Sequence, residues 1–283
     1  DEQTAAQYSR SMTVWKTFYV PVLSEIAVLC DNALVFYDYE TVKPTQIFSD
    51  GDSFVDCVYL PVIFKIAICK QNREIIFYDV RSRDKTSFSI TASLDVSNIN
   101  KLSIRESRKA SQWCHQKEMP LYNRSTAIGA HPNQSFVFVG DEKGGIEIIN
   151  IFMSQHKGKF NWEYQRIGRC LLHSSDITQI TYISKLELFC SSSTDGTISL
   201  WKYSFKKHKM TIKFTYKDSA GFSIRSFVYS ERTRDIVYNT SSFCFCVWRI
   251  FTNNQTTVDT HSQLIQTMAV FPLLGDNAFL IAV

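Results

Sequence analysis

The residues able to do chemistry are few, and their spacing is poor for it. Cys244 and Cys246 lie two apart, so both thiols sit on one face of a strand, a spacing that does not suit a tetrahedral metal knuckle. Cys114-His115 lacks a second ligand pair nearby, and Asp50-Gly51-Asp52 has too few correctly spaced oxygens for a calcium loop. Asp141 and Glu142 are adjacent in a turn; on opposite sides of an extended chain they cannot share a substrate. His131, in Gly129-Ala130-His131-Pro132, reads as a turn residue. The sequence contains no Gly-rich phosphate loop, His-Glu-x-x-His, Gly-x-Ser-x-Gly or zinc-type cysteine pair. The expectation is no catalytic residue, no cofactor and no metal.

Positive charge is the more concentrated signal. Lys202, Lys206, Lys207, Lys209, Lys213 and Lys217 follow one another with no acid until Asp218, interleaved with Tyr203, Phe205, Phe214 and Tyr216. A second basic region runs from Arg81 to Arg124, with nine Lys/Arg against four Asp/Glu. It includes Arg105, Arg108 and Lys109, and residues 91–124 show no repeated pattern. A long connection of this kind is a basic insertion loop. The candidate partner-binding residues are Lys206, Lys207, Lys209, Arg105, Arg108 and Lys109. The competing reading of the lysine stretch is a charged sheet edge that blocks strand addition.

These residues need a scaffold, and the composition supplies one. Of 283 residues, 45% are hydrophobic and 20% charged, with 21 Phe, 13 Tyr and 5 Trp, which excludes disorder, collagen and coiled coil. Only 10 residues are glycine, and the net charge is +4, so charge alone argues for no nucleic-acid or membrane partner. The longest apolar stretch, Val58 to Cys69, is broken by Lys65 and is too short for a membrane helix. Cys30, Cys69 and Cys190 close short apolar runs, where cysteine is a small buried hydrophobe; reduced thiols of a cytoplasmic protein are expected. The sequons at Asn123, Asn133, Asn239 and Asn254 pull weakly towards secretion. The chain opens at Asp1 and closes inside the apolar run Ala278 to Val283, so it is expected to belong to a longer polypeptide.

A repeat organises the elements. His173 to Tyr182 alternates, Leu186 to Ser193 reads as a continuous apolar run, and Thr194 to Trp201 alternates again. Asp195-Gly196 between the last two is a hairpin signal, so three antiparallel strands follow. Ile177, Ile180, Tyr182 and Trp201 correspond in register to Ile224, Phe227, Tyr229 and Trp248, and to Phe54, Cys57, Tyr59 and Tyr78, each set spanning 24 residues. Further copies close at Tyr37 and Ile149, and another begins at His261. The closing positions are separated by 41, 71, 52 and 47 residues, a period near 45 with one large insertion.

His173, Ser191, Asp195 and Trp201, with the closing run Asp195-Gly196-Thr197-Ile198-Ser199-Leu200-Trp201, resemble a WD repeat, one blade of a β-propeller. Tyr37-Asp38 and Tyr78-Asp79 look like variants of the name-giving Trp-Asp pair. The resemblance implies an all-β propeller of four-stranded antiparallel blades: about five blades and the start of a sixth, part of a larger, seven-bladed or tandem, propeller. Blade cores are expected at 12–48, 54–90, 125–165, 173–216 and 222–258, with a partial one at 261–283. It also implies that His173, Asp195, Ser191 and Trp201 form a buried hydrogen-bonded chain, a structural network, with Ser193 as the fallback for Ser191. The other copies depart: at Trp248 the equivalent positions hold Ser242 and Ala220, and the Tyr37 copy has Asp31 but Ala27.

The run Ala67 to Asp79, with Phe227-Val228-Tyr229, is similar to the large ciliary WD-repeat proteins that carry an EF-hand segment. That narrower resemblance implies a non-catalytic scaffold mediating protein–protein interactions in a ciliary axoneme or another microtubule-based assembly. Its partners would be other proteins, tubulin or axonemal components among them, and its location cytoplasmic and cytoskeletal. The alternative is a nucleic-acid-associated WD-repeat protein using residues 202–217, whose affinity would fall steeply with salt. A propeller hydrolase stands third and needs converging acids that the sequence does not supply.

Overall fold

Short alternating apolar runs separated by Gly, Asp and Ser turns fold here as antiparallel strands. The computed structural model describes residues 13–86, 88–89, 115–116, 119–156, 158–242, 244–259, 268–272 and 278–282. The first sheet is β1 (Val14–Val20), β2 (Glu25–Cys30), β3 (Ala33–Asp38) and β4 (Pro44–Ser49), in that order. The second holds β5 (Phe54–Leu60), β6 (Lys65–Lys70), β7 (Glu74–Asp79) and the short β8 (Asp84–Lys85). Three two-residue strands come next in the chain: β9 (Phe88–Ser89), β10 (His115–Gln116) and β11 (Met119–Pro120). The third sheet is built on β12 (Ser125–Ala130), β13 (Phe136–Asp141), β14 (Gly145–His156) and β15 (Lys159–Leu171).

The fourth sheet is β16 (Ile177–Ile183), β17 (Leu188–Ser193), β18 (Thr197–Ser204) and β19 (Lys209–Lys217). The fifth is β20 (Ile224–Tyr229), β21 (Asp235–Thr240), β22 (Cys244–Arg249) and β23 (Asn254–Asp259). A two-stranded sheet, β24 (Met268–Pro272) and β25 (Ala278–Ala282), ends the series. The fold is all-β: five four-stranded antiparallel blades of a β-propeller, with every described element a strand.

The repeat extends to irregularities that hydrophobic patterning does not show. The first strand of four blades carries a register shift at one equivalent place, at Val14/Lys16, Phe54/Asp56, Ile177/Gln179 and Ile224/Ser226. The turns after those strands end on a left-handed non-glycine residue, at Ser24, Phe64, Glu187 and Arg234. The turns before the last strands do the same at Val42, Arg83, His208 and Asn253. A side chain at positive φ is costly and persists only where the surroundings dictate it.

Two compact units divide within the third sheet: residues 1–122, 131–137 and 148–168, and residues 123–130, 138–147 and 169–283. In the first unit, Val20, Leu29, Phe36, Ile66, Ile68 and Tyr78 belong to one buried cluster that joins the first two blades. In the second unit, Cys190, Leu200, Tyr216, Phe227, Tyr238 and Trp248 join the fourth blade to the fifth. Burying such side chains is worth ~1.5–3 kcal/mol each, so neighbouring blades stabilise one another rather than folding alone. Cys30, Cys57, Cys69, Cys190 and Cys246 are buried, and none forms a disulfide with a described residue.

Most of the insertion 91–124 lies outside the described residues, and Arg105, Arg108 and Lys109 lie there too. Its described ends are strand pairings. β10 pairs antiparallel with β9, β9 runs parallel to β15 through Phe88 and Trp162, and β11 pairs with β7.

Candidate functional site

The fourth blade brings His173, Ser191, Asp195 and Trp201 together, and adds a fifth member, Thr197. Trp201 Nε1–H donates to Ser191 Oγ at 3.1 Å, and Ser191 Oγ meets His173 Nε2 at 2.8 Å. His173 Nδ1 meets Thr197 Oγ1 at 2.8 Å, and the Thr197 hydroxyl donates to Asp195 Oδ1 at 2.6 Å. Ser174 N–H donates to Asp195 Oδ2 at 2.8 Å. The direct His173 Nδ1 to Asp195 Oδ2 separation is 3.7 Å, too long for a hydrogen bond, so the threonine hydroxyl relays between them.

The donors run one way along this chain. Thr197 spends its proton on Asp195, so its oxygen accepts from His173 Nδ1–H, which assigns the Nδ1 tautomer. Nε2 then accepts from Ser191, whose oxygen accepts from Trp201. Burial holds the His173 pKa below its ordinary value although Asp195 pulls the other way, so the ring is neutral. Burial also opposes ionisation of Asp195, but hydrogen bonds from Thr197 and Ser174 outweigh it and hold that carboxyl below the usual range. Ser193, the alternative to Ser191, instead donates to Ser175 O and accepts from Asp195 N–H, each at 3.1 Å.

A hydroxyl bonded to an imidazole that leads on to a carboxylate invites comparison with a nucleophile and its base. Ser191 is 0% exposed, and its oxygen is already occupied by Trp201 and His173. No substrate carbonyl can approach it. Phe189 stacks on Trp201 with centroids 4.4 Å apart, and Phe138 closes over both rings. The backbone entry is fixed by the preceding turn, where Gly144 O accepts from Leu172 N–H and His173 N–H at 3.1 and 3.0 Å. Gly144 has φ +74°, and an added Cβ would overlap the His173 carbonyl.

The other blades fill the corresponding ground with different chemistry. In the fifth, Tyr238 takes the place of Ser191; Tyr216 OH meets Tyr238 OH at 2.8 Å, and Tyr238 OH donates to Asp218 Oδ1 at 2.8 Å. Trp248 Nε1–H turns to Asn253 Oδ1 at 3.1 Å. In the second, buried Lys70 is ion-paired to Asp50 at 2.9 Å, Asp52 at 2.8 Å and Glu74 at 3.3 Å. Burial opposes its charge, but these carboxylates win and its pKa is raised. Lys65 is also buried, bonded to Asp79 and Thr86 at 2.6 and 2.9 Å and lying 4.2 Å from the Trp162 ring centre. At the third blade, Asp141 accepts from Arg169 Nε at 2.7 Å, Asn123 at 3.0 Å and the Gly145 N–H at 2.9 Å. Glu142, its neighbour, faces Arg124 at 3.2 Å. His131 accepts from Asn133 N–H at 3.1 Å within its own turn.

The lysines behave differently. Lys206, Lys207 and Lys209 are exposed in and after the β18–β19 turn, and Lys213 and Lys217 are exposed along β19. None of these five forms an ion pair with a described residue. Ile212 is 51% and Phe214 52% exposed beside them, while Tyr203 and Tyr216 are buried. The exposure of Ile212 and Phe214 was not legible in the sequence, because an apolar residue in a strand normally reads as core.

No family model matches this chain, and no curated protein matches it. Among solved structures, a chain of the "Crystal Structure of Mitotic Checkpoint Complex" is similar with a TM-score of 0.57 at 14% identity. The match covers 85% of this chain, which spans 62% of the length of that one. With 1408 solved chains matching, the likeness identifies an architecture, the β-propeller, rather than a partner.

Proposed function

We propose that the protein is a non-catalytic interaction scaffold that docks other proteins through an exposed basic edge. One observation carries this reading. His173 is buried, Asp195 is largely covered, and both are hydrogen-bonded within one chain of side chains, whereas Lys206, Lys207, Lys209, Lys213 and Lys217 are exposed and have no described ionic partner. The likeness to a chain of a multi-protein assembly supports the same direction. The finer proposal, resting on the sequence resemblance, is a microtubule-based assembly such as a ciliary axoneme, with an acidic filament surface like tubulin's as partner. Of the four aromatics interleaved with the lysines, Tyr203 and Tyr216 are buried and Phe214 is exposed, so the row of stacking rings that the nucleic-acid alternative would use is reduced. Co-sedimentation with microtubules tests the proposal. Replacing Lys206, Lys207 and Lys209 together by Glu is expected to abolish pelleting at low salt with an unchanged melting temperature. Normal pelleting of that variant would leave the stretch as a charged edge without a partner.

A further inference from the structure

We propose that β19 is a docking edge on which an extended acidic peptide segment of a partner protein adds as a fifth strand. This rests on the protein-docking reading above and names its surface. β19 ends its sheet and is nine residues long, against six for β4 and β23, which also end theirs. Nine residues present roughly 30 Å of backbone whose outward N–H and C=O groups await a neighbour.

The side chains say what kind of neighbour. Phe214 lies opposite Leu200 and Ile212 opposite Trp201, with Lys213 as the extra residue of a bulge, so the two apolar side chains sit on opposite faces of the sheet. Lys209 lies opposite Ser204, on the Phe214 face, and Lys217 opposite Thr197, on the Ile212 face. Each face of the edge therefore offers one exposed apolar group and one unpaired cation. A strand with two adjacent apolar residues at its centre, opposite Ile212 and Phe214, and acidic residues towards both ends, opposite Lys209 and Lys217, matches both faces at once. The lysines repel a basic strand, including β19 of a second copy, so the charge that protects the edge also selects its occupant.

The same fold already accepts a strand in this way. β9 lies parallel along the far edge of β15, at Phe88 and Trp162, and β10 adds to β9. β15 carries its own added strand; β19 has none among the described residues. In such binding, main-chain hydrogen bonds give affinity and side-chain matching gives selectivity.

The test titrates the full chain with a fluorescein-labelled twelve-residue peptide that carries a central Val-Val pair and Glu residues towards both ends. Expected are binding that weakens with added KCl and amide-exchange protection confined to residues 209–217. The same peptide N-methylated at every second residue should bind about tenfold more weakly, as should the unmodified peptide on K209E/K213E/K217E. Equal binding of the N-methylated peptide, protection elsewhere, or no binding at all would overturn the proposal. If the triple variant does not fold, the N-methylated peptide on the unaltered protein decides the question. Should the peptide fail while microtubule co-sedimentation persists, the edge assignment falls and the docking reading stands. Failure of both removes both.

Discussion

Thr197 is the residue on which the fourth blade's polar chain turns. Its hydroxyl stands between His173 Nδ1 and Asp195 Oδ1, at 2.8 and 2.6 Å. Thr197→Val keeps the shape and strand preference but strands a buried N–H and removes a donor from the carboxylate. A loss of ~1–3 kcal/mol in urea unfolding is expected, and Thr197→Ser should recover most of it. Asp195→Ala should cost a similar amount through the same relay. The pH dependence follows from the depressed pKa of His173. Its unfolded value is near 6.5, so as pH falls below that the unfolded chain takes a proton the folded chain refuses. Stability is therefore fully present above about 6.5 and declines as the pH falls towards the lower folded value. Burial depresses His131 in the same sense, so H131N serves as the control. The slope of melting temperature against pH should flatten in H173N by more than in H131N; equal slopes would remove His173 from the account. Of this site, His173, Ser191, Asp195 and Trp201 were legible through the resemblance to a WD repeat, which implies those four as one bonded chain. Thr197 was not, since a threonine after Asp-Gly looks like any strand residue.

At the level of the element, strands were readable wherever apolar residues alternate, and the hairpin at Asp195-Gly196 was readable from its turn chemistry. The left-handed turn residues were not, because Val42 or Phe64 at positive φ contradicts its own propensity and is imposed by the turn around it. Nor was the strand addition by β9, β10 and β11 readable, as two-residue pairings leave no periodicity. The substitutes for the polar chain were hidden for another reason: Tyr238 bonds to Asp218, which follows the last strand of the preceding blade, so no fixed spacing joins them. Gly144 tests how strictly blade entry is held. Gly144→Ala would drive a Cβ into the His173 carbonyl at φ +74°, and is expected to cost on the order of 3 kcal/mol. Gly158→Ala has φ +80° with nothing within 4 Å, so only the backbone term of about 1–2 kcal/mol applies. Chemical denaturation of both separates the steric contact from the conformation. Equal losses would mean that the turn relaxes around the new methyl group.

Charge is a property of the whole molecule, and it complicates any reading of the basic edge. The net charge is only +4, and changing Lys206, Lys207 and Lys209 to Glu alters it by six units, inverting its sign. A protein whose overall charge is reversed would leave an acidic filament through long-range repulsion alone, whatever its lysines touch. The control must carry the same total charge at another place. Lys43, Lys143 and Lys185 are exposed and form no described ion pair, so K43E/K143E/K185E matches the edge variant in charge without touching the β18–β19 turn. If the edge docks a partner, the edge variant should lose attachment while the control keeps most of it, with single lysine changes mild because each exposed pair is worth under ~1 kcal/mol. The difference between the two should be largest at low salt and shrink as salt is added, since salt screens both the local pairing and the overall field. Equal weakening of the two variants at every salt concentration would make attachment a matter of net charge, and the edge would lose its claim to a partner of its own.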